Sequence, residues 1–167
     1  VAPGSERERK LIAACEADSN PWLAPAYRLA VETAMRQGEL LALRWEDVHL
    51  DQRVAILHTS KNGESRGVPL SSAAIAVLQA LPRHPSGRVL GGISHATTLQ
   101  HAFARACKVA EIDDLTWHGL RHEALSRLGE RGDLNVLELA AVSGHKTLQM
   151  LKRYTHLQAS KLAEKLG

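Results

Sequence analysis

Hydrophobic and polar positions follow two different periods along this chain, and the change between them predicts its elements. The first third has a helical period. Ser5 is placed to cap a helix running to about Asp18. Asn20-Pro21 is a second start signal with Pro21 at the first helical position, after which Trp22, Ala26, Leu29, Ala30 and Thr33 fall on one face. A short helix follows through residues 39–44. The middle has the period of strands: Val54 to Leu57 and Arg66 to Leu70 flank a turn over 60–65, where Asn62-Gly63 supplies the positive φ angles of a tight turn. A further strand near 48–50 completes a small antiparallel sheet. The helical period then returns. Ser71 or Ser72 caps a helix with Ile75, Leu78 and Leu81 on one face, and Thr97 or Thr98 opens another with Leu99, Phe103 and Ala106 inward. Helices over 120–130, 134–142, 147–154 and 160–166 follow, and the stretch from Pro82 to Arg88 reads as a loop. The pattern predicts a mainly α chain with a small antiparallel β-sheet, an α+β fold without internal repeats.

Composition narrows this further. A length of 167 residues suits a single domain with a sizeable core. Hydrophobic residues make up 44% and charged residues 23%, the balance of a soluble globular protein. Aromatics are only 4%, so the core is expected to consist of Leu, Ala, Val and Ile. A net charge of +3 permits a polyanionic partner without demonstrating one. Cys15 and Cys107 form no CxxC pair and read as small buried hydrophobes in a reducing cytoplasm. The start carries no secretory signal, and no apolar run reaches the length of a membrane span. Because the chain starts at Val1 in a polar stretch, it is expected to be a piece of a longer protein.

The candidate chemistry concerns phosphate. Arg36 and Arg121 each offer a planar fork of N–H donors that stays protonated and can hold two oxygens of a phosphodiester. Lys61, at the tip of the expected hairpin, can protonate a leaving alkoxide. His118 and His145 can donate hydrogen bonds or carry protons. Tyr154 can attack phosphorus once a base or positive field activates it, since its free pKa is ~10. Such a set needs no metal and no cofactor.

Each residue also has a plainer reading. Glu39 lies three residues after Arg36 and can simply pair with it. His118 and His122 share a helix face, as two metal ligands would, but no further Cys or carboxylate stands at a recognisable spacing. Leu139-Ala-Ala-Val-Ser-Gly144-His-Lys-Thr-Leu148 has the Ala and Gly spacing of a helix-turn-helix reader. In that reading Gly144 is only the turn residue, residues 147–153 form the recognition helix, and the chain is a DNA-binding regulator without catalysis.

Taken together, the segments resemble the tyrosine recombinase, or phage integrase, family. Thr33-Ala-Met-Arg-Gln-Gly-Glu-Leu40 is similar to its first arginine motif. Thr59-Ser-Lys-Asn-Gly63 and Arg66-Gly-Val-Pro-Leu70 are similar to its hairpin lysine segment. His118-Gly-Leu-Arg-His122, Ser143-Gly-His-Lys-Thr147 and Arg153-Tyr-Thr-His156 resemble its His-x-x-Arg, second-histidine and nucleophile motifs. The resemblance runs from about residue 20 to the end, with all six catalytic positions filled in family order.

The resemblance implies a catalytic domain without the N-terminal helical domain that closes a clamp on DNA in full-length relatives. It implies cleavage and rejoining of DNA through a 3′-phosphotyrosyl link, with Tyr154 as nucleophile and Lys61 as acid. Arg36, His118, Arg121 and His145 would surround the phosphate, supported by Glu39 and His122. The implied partners are double-stranded DNA and three further copies in a tetramer on it, with a free monomer and no membrane. The implied location is the cytoplasm, at the nucleoid. The C-terminal stripe of Leu157, Leu162 and Leu166 would dock on a neighbouring copy. Three positions depart from the family's habit: Gly119 stands where Asp is frequent, Glu123 where a small hydroxyl residue is common, and Ala34 where Gly usually precedes the first arginine. Glu123, one turn from His118, is expected to bear on that histidine's proton affinity.

Overall fold

Ser5 accepts a hydrogen bond from the Glu8 amide and opens helix α1 (Glu6–Ala17), as its position predicts. The computed structural model describes residues 1–58, 65–144, 163–164 and 166–167. The expected turn carrying Lys61, the helix over 147–154, and Leu157 and Leu162 of the C-terminal stripe therefore lie outside the described residues; Leu166 is described and exposed. Helix α2 (Leu23–Thr33) begins later than its Asn-Pro signal. The Asn20 side-chain oxygen holds the Trp22 amide, so Asn20-Pro21-Trp22 forms a turn and Pro21 precedes the helix. Leu23, Ala24, Ala26, Tyr27, Leu29, Ala30 and Thr33 of α2 are all buried. A helix apolar around most of its circumference belongs in the middle of a fold, and α2 packs on α1 and on two later helices, α4 (Ser72–Ala80) and α6 (Trp117–Arg131).

Helix α3 (Gln37–Ala42) starts two residues earlier than the pattern predicts. After a 3-10 turn at Trp45–Asp47 comes the antiparallel sheet β1 (Val48–His49), β2 (Val54–His58) and β3 (Ser65–Pro69), in that order. Ala55 pairs with Val68 and Leu57 with Arg66. Ala55, Leu57, Val68 and Leu70 are buried, so this register turns Arg66 towards the protein interior with them. Ser71 caps α4. The loop over 82–95 is only half a surface loop, because Val89, Leu90 and Ile93 are fully buried.

Helix α5 (Ala96–Val109) turns Leu99, Phe103 and Ala106 inward as expected. Helix α6 starts three residues before Leu120, because the Thr116 hydroxyl caps it by accepting from the Gly119 amide. Helix α7 (Val136–Ser143) is opened by a reciprocal pair, Asn135 holding the Glu138 amide and Glu138 holding that of Asn135. The mainly helical chain with a three-stranded antiparallel sheet is the fold class the pattern predicts.

The core departs from the aliphatic expectation. Tyr27, Phe103 and Trp117, half of the chain's six aromatics, form a run through its centre: Tyr27 stacks on Phe103 at 6.2 Å and Phe103 meets Trp117 edge-on at 5.3 Å. The run joins α2, α5 and α6. Cys15 and Cys107 are buried as expected, and burial pushes their thiols up to about 12 and about 11, which leaves them inert. A smaller cluster of Ala34, Ala124, Leu125 and Leu139 lies under α6 and α7.

Truncating the centre of the aromatic run is expected to cost most. Phe103→Ala should lower stability by about 3–5 kcal/mol in urea denaturation, whereas Val109→Ala, at the exposed end of the same helix, should change it by no more than about 0.5 kcal/mol.

Candidate active site

The corner between α2 and α3 is built by local hydrogen bonds. The Thr33 hydroxyl donates to the Leu29 carbonyl at 2.6 Å and accepts from the Met35 amide at 3.3 Å. Ala34 ends α2 in the left-handed region at φ 56°, where Gly is favoured; this explains physically why a glycine suits the position. For alanine that conformation costs roughly 1 kcal/mol, set against burial of its methyl among Ala124, Leu125 and Leu139. The chain then reverses, with Met35 buried and Arg36 exposed. Arg36 is not inside a helix: it caps α3 in extended backbone. Its amide donates to Glu39 Oε1 at 2.8 Å, and its guanidinium lies 3.7 Å from Glu39 Oε2. Glu39 thus holds both the backbone and the side chain of Arg36. Gln37 ties the corner to α5 by donating to the Ala96 carbonyl and accepting from Gln100.

From α6 come His118, Arg121 and His122, which share a face because of their three- and four-residue spacing. The two imidazoles meet edge to face with centroids 5.8 Å apart. Arg121 donates from Nη1 to the Ala34 carbonyl at 2.5 Å and from Nη2 to the Ser143 carbonyl at 2.6 Å. Those carbonyls end α2 and α7, where helix dipoles place partial negative charge, so one cation holds two helix ends. Arg36, His118, Arg121 and His122 line one open cleft of about 380 Å³, floored by Ala30, Met35, Trp117 and Leu120. Two guanidinium groups and two imidazoles on an apolar floor are donors of the kind that suit an anion. Lys61, His145 and Tyr154 lie outside the described residues.

One residue of this neighbourhood lies in a motif but has no role in the motif reading. Arg66 of β3 donates from Nη2 to both Glu39 oxygens, at 3.0 and 3.1 Å, and from Nη1 to the Val142 carbonyl at 3.2 Å. A visible signal marks it: the alternation Arg66-Gly-Val68-Pro-Leu70 puts a charge in phase with two buried residues. Gly144, at φ 73°, ends α7, and a Cβ there would lie 2.6 Å from Arg66 Cζ. Gly144 is therefore more than a turn residue, since its missing side chain is where Arg66 packs.

The other departures have simple settings. Gly119 is a capped amide in the first turn of α6, with only ordinary contact distances around an added Cβ. Glu123 stands five residues after His118 on α6, a spacing that puts it off the face shared by His118, Arg121 and His122. Among the described residues no group of three His, Cys, Asp or Glu side chains could hold a metal ion.

The profile of the phage integrase family matches residues 5–161. The chain belongs to the phage integrase family. One member, a shufflon-specific DNA recombinase of Escherichia coli, is 47% identical over 169 residues, covering 97% of this chain and 44% of the relative. The chain thus spans less than half the length of that integrase-family relative. Among solved structures, the catalytic domain of bacteriophage HP1 integrase superposes with a TM-score of 0.77 at 28% identity, covering 97% of this chain and 91% of that one. A λ integrase tetramer bound to a Holliday junction shares the fold, with a TM-score of 0.72 at 23% identity, covering 90% of this chain and 46% of that one. The family match takes in every motif, whereas a helix-turn-helix accounts only for residues 134–154, and its recognition segment lies outside the described residues.

Gly119 and Gly144 of this phage integrase family member should respond oppositely to alanine. Gly119→Ala should raise stability by up to about 0.5–1 kcal/mol, because it removes the entropy of a glycine in the first turn of the helix without a clash. Gly144→Ala should lower it by about 1–2 kcal/mol through left-handed strain alone, and Arg66→Ala should relieve part of any further loss. Thermal denaturation of the three variants and of the Arg66/Gly144 double variant checks both signs.

Proposed function

We propose that this chain is the catalytic domain of a site-specific DNA recombinase that cuts and rejoins double-stranded DNA through a covalent 3′-phosphotyrosyl intermediate. The single observation that carries the reading is the convergence of Arg36, His118, Arg121 and His122 on one cleft, from two segments more than 80 residues apart in sequence. In this reading the scissile phosphate occupies the cleft, and its two non-bridging oxygens accept from Arg36 and Arg121. Tyr154 Oη releases its proton to solvent and attacks phosphorus, forming the P–O bond to tyrosine as the P–O5′ bond breaks. Lys61 gives the departing O5′ its proton, and His118 and His145 donate to the phosphoryl oxygens. A 5′-hydroxyl of a partner strand then attacks the phosphotyrosine and regenerates Tyr154. The bond energy is kept in the covalent link, so the exchange needs neither a nucleotide cofactor nor a metal. The guanidinium pair supplies the charge stabilisation that a metal would supply elsewhere.

Assembly as a tetramer on DNA is part of the proposal, supported by the λ integrase tetramer that shares the fold. So is the view of this chain as one catalytic domain of a longer cytoplasmic protein, supported by its coverage of the HP1 catalytic domain and of under half of the shufflon recombinase.

A nicked suicide substrate tests the reading. The chain should form a protein–DNA adduct resistant to denaturation, undiminished by EDTA. Tyr154→Phe should abolish the adduct, and Arg36→Ala should slow its formation at least about 100-fold. An adduct formed by Tyr154→Phe, or loss of cleavage with EDTA, would contradict the assignment.

A further inference from the structure

We infer that Arg66 is a positioning residue for strand cleavage, coupling the β-sheet, the first arginine and the end of α7 through one guanidinium. The inference rests on the recombinase reading above and extends it to a residue outside the six-residue set. Its geometry is that of a three-way joint. From β3 it reaches both Glu39 oxygens, and through Glu39 the amide of Arg36. From its other nitrogen it reaches the Val142 carbonyl, one residue before the Ser143 carbonyl that Arg121 holds. The side chain is only 20% exposed, as is fitting for a group whose charge is spent inside the protein. Gly144 leaves the space it fills.

The consequences follow from connectivity. β3 begins four residues after Lys61, and α7 ends two residues before His145. A rigid planar fork with bonds to Glu39 and Val142 fixes the strand leaving the lysine segment against the helix entering the histidine segment, with Arg36 held from the same carboxylate. Lysine offers a point charge on a flexible stem, without the rigid planar fork that holds both partners in one geometry. Arg66 therefore acts on the reacting atoms through other residues, without touching the substrate.

The test is a single-turnover cleavage assay on the nicked substrate, comparing wild type, Arg66→Met, Arg66→Lys, Glu39→Gln and the Glu39/Arg66 double variant. A positioning role predicts that Arg66→Met lowers the rate constant of adduct formation about 100-fold at saturating DNA. Its final adduct amplitude should be unchanged, and Arg66→Lys should recover part of the rate. The double variant should be no slower than about the worse single variant, since the two side chains act through one contact. The salt dependence of DNA binding should keep the wild-type slope, whereas removing a cation that touched phosphate directly would reduce it by about one. Reduced amplitude with an unchanged rate constant would show a purely structural role and overturn the inference, as would additive losses or a shallower salt slope. If Arg66→Met does not fold, Arg66→Lys and Glu39→Gln carry the same comparison. A wild-type chain that forms no adduct would instead defeat the recombinase reading, and this inference with it; a wild-type adduct with undiminished Arg66→Met would defeat the inference alone.

Discussion

The bridge from Arg121 to the carbonyls of Ala34 and Ser143 is the interaction on which the cleft depends. Both carbonyls are helix ends, where backbone acceptors lack intrahelical donors. Without a partner in a partly buried setting each would be costly to leave unpaired. One guanidinium satisfies both, and its planarity fixes the angle between them. Because α2 leads directly into Arg36 and α7 leads directly into His145, the bridge relates two candidate site segments that lie far apart in sequence. The same cation that would bind phosphate is thus also part of the frame, which explains why its position on α6, three residues from His118, matters as much as its charge.

Arg66 completes the frame from the opposite side. The last turn of α7 presents two adjacent carbonyls, Val142 to Arg66 on the sheet and Ser143 to Arg121 on α6. Positive charge at a helix C-terminus is favourable in its own right, and here two cations approach the same end. Glu39 offsets one of them and in doing so holds Arg36. The left-handed Ala34 and Gly144 stand at the two helix ends involved. Strain stored where the chain must turn sharply is a common companion of functional geometry, and the turn at Ala34 leads into Arg36 at the cleft.

Much of this is legible in the sequence. Caps at Ser5 and Ser71, the inward faces of α2 and α5, and the alternating strands follow from periodicity and hydroxyl placement. Arg36, His118, Arg121 and His122, which the motifs single out, line one cleft. The features that periodicity and motifs miss have particular causes. Asn20-Pro21 reads as a helix start, but the Asn20 side chain takes the Trp22 amide and makes the segment a turn before the helix. Asn135 is hidden behind Leu134, which carries the hydrophobic period but not the cap. The aromatic run is masked by its own scarcity, because composition counts rings and does not say where they meet. Arg66 reads as a strand residue of a motif, and its partners are 27 and 76 residues away. No local pattern contains them.

The most direct measurement is a crystal structure of the chain with orthovanadate as a phosphate mimic. The account predicts one anion in the cleft, with donor nitrogens of Arg36 and Arg121 both within about 3 Å of its oxygens, and Arg121 still bound to the Ala34 and Ser143 carbonyls. An anion bound elsewhere, one held by only one of the two arginines, or an Arg121 that must release its carbonyls to reach it would contradict the account.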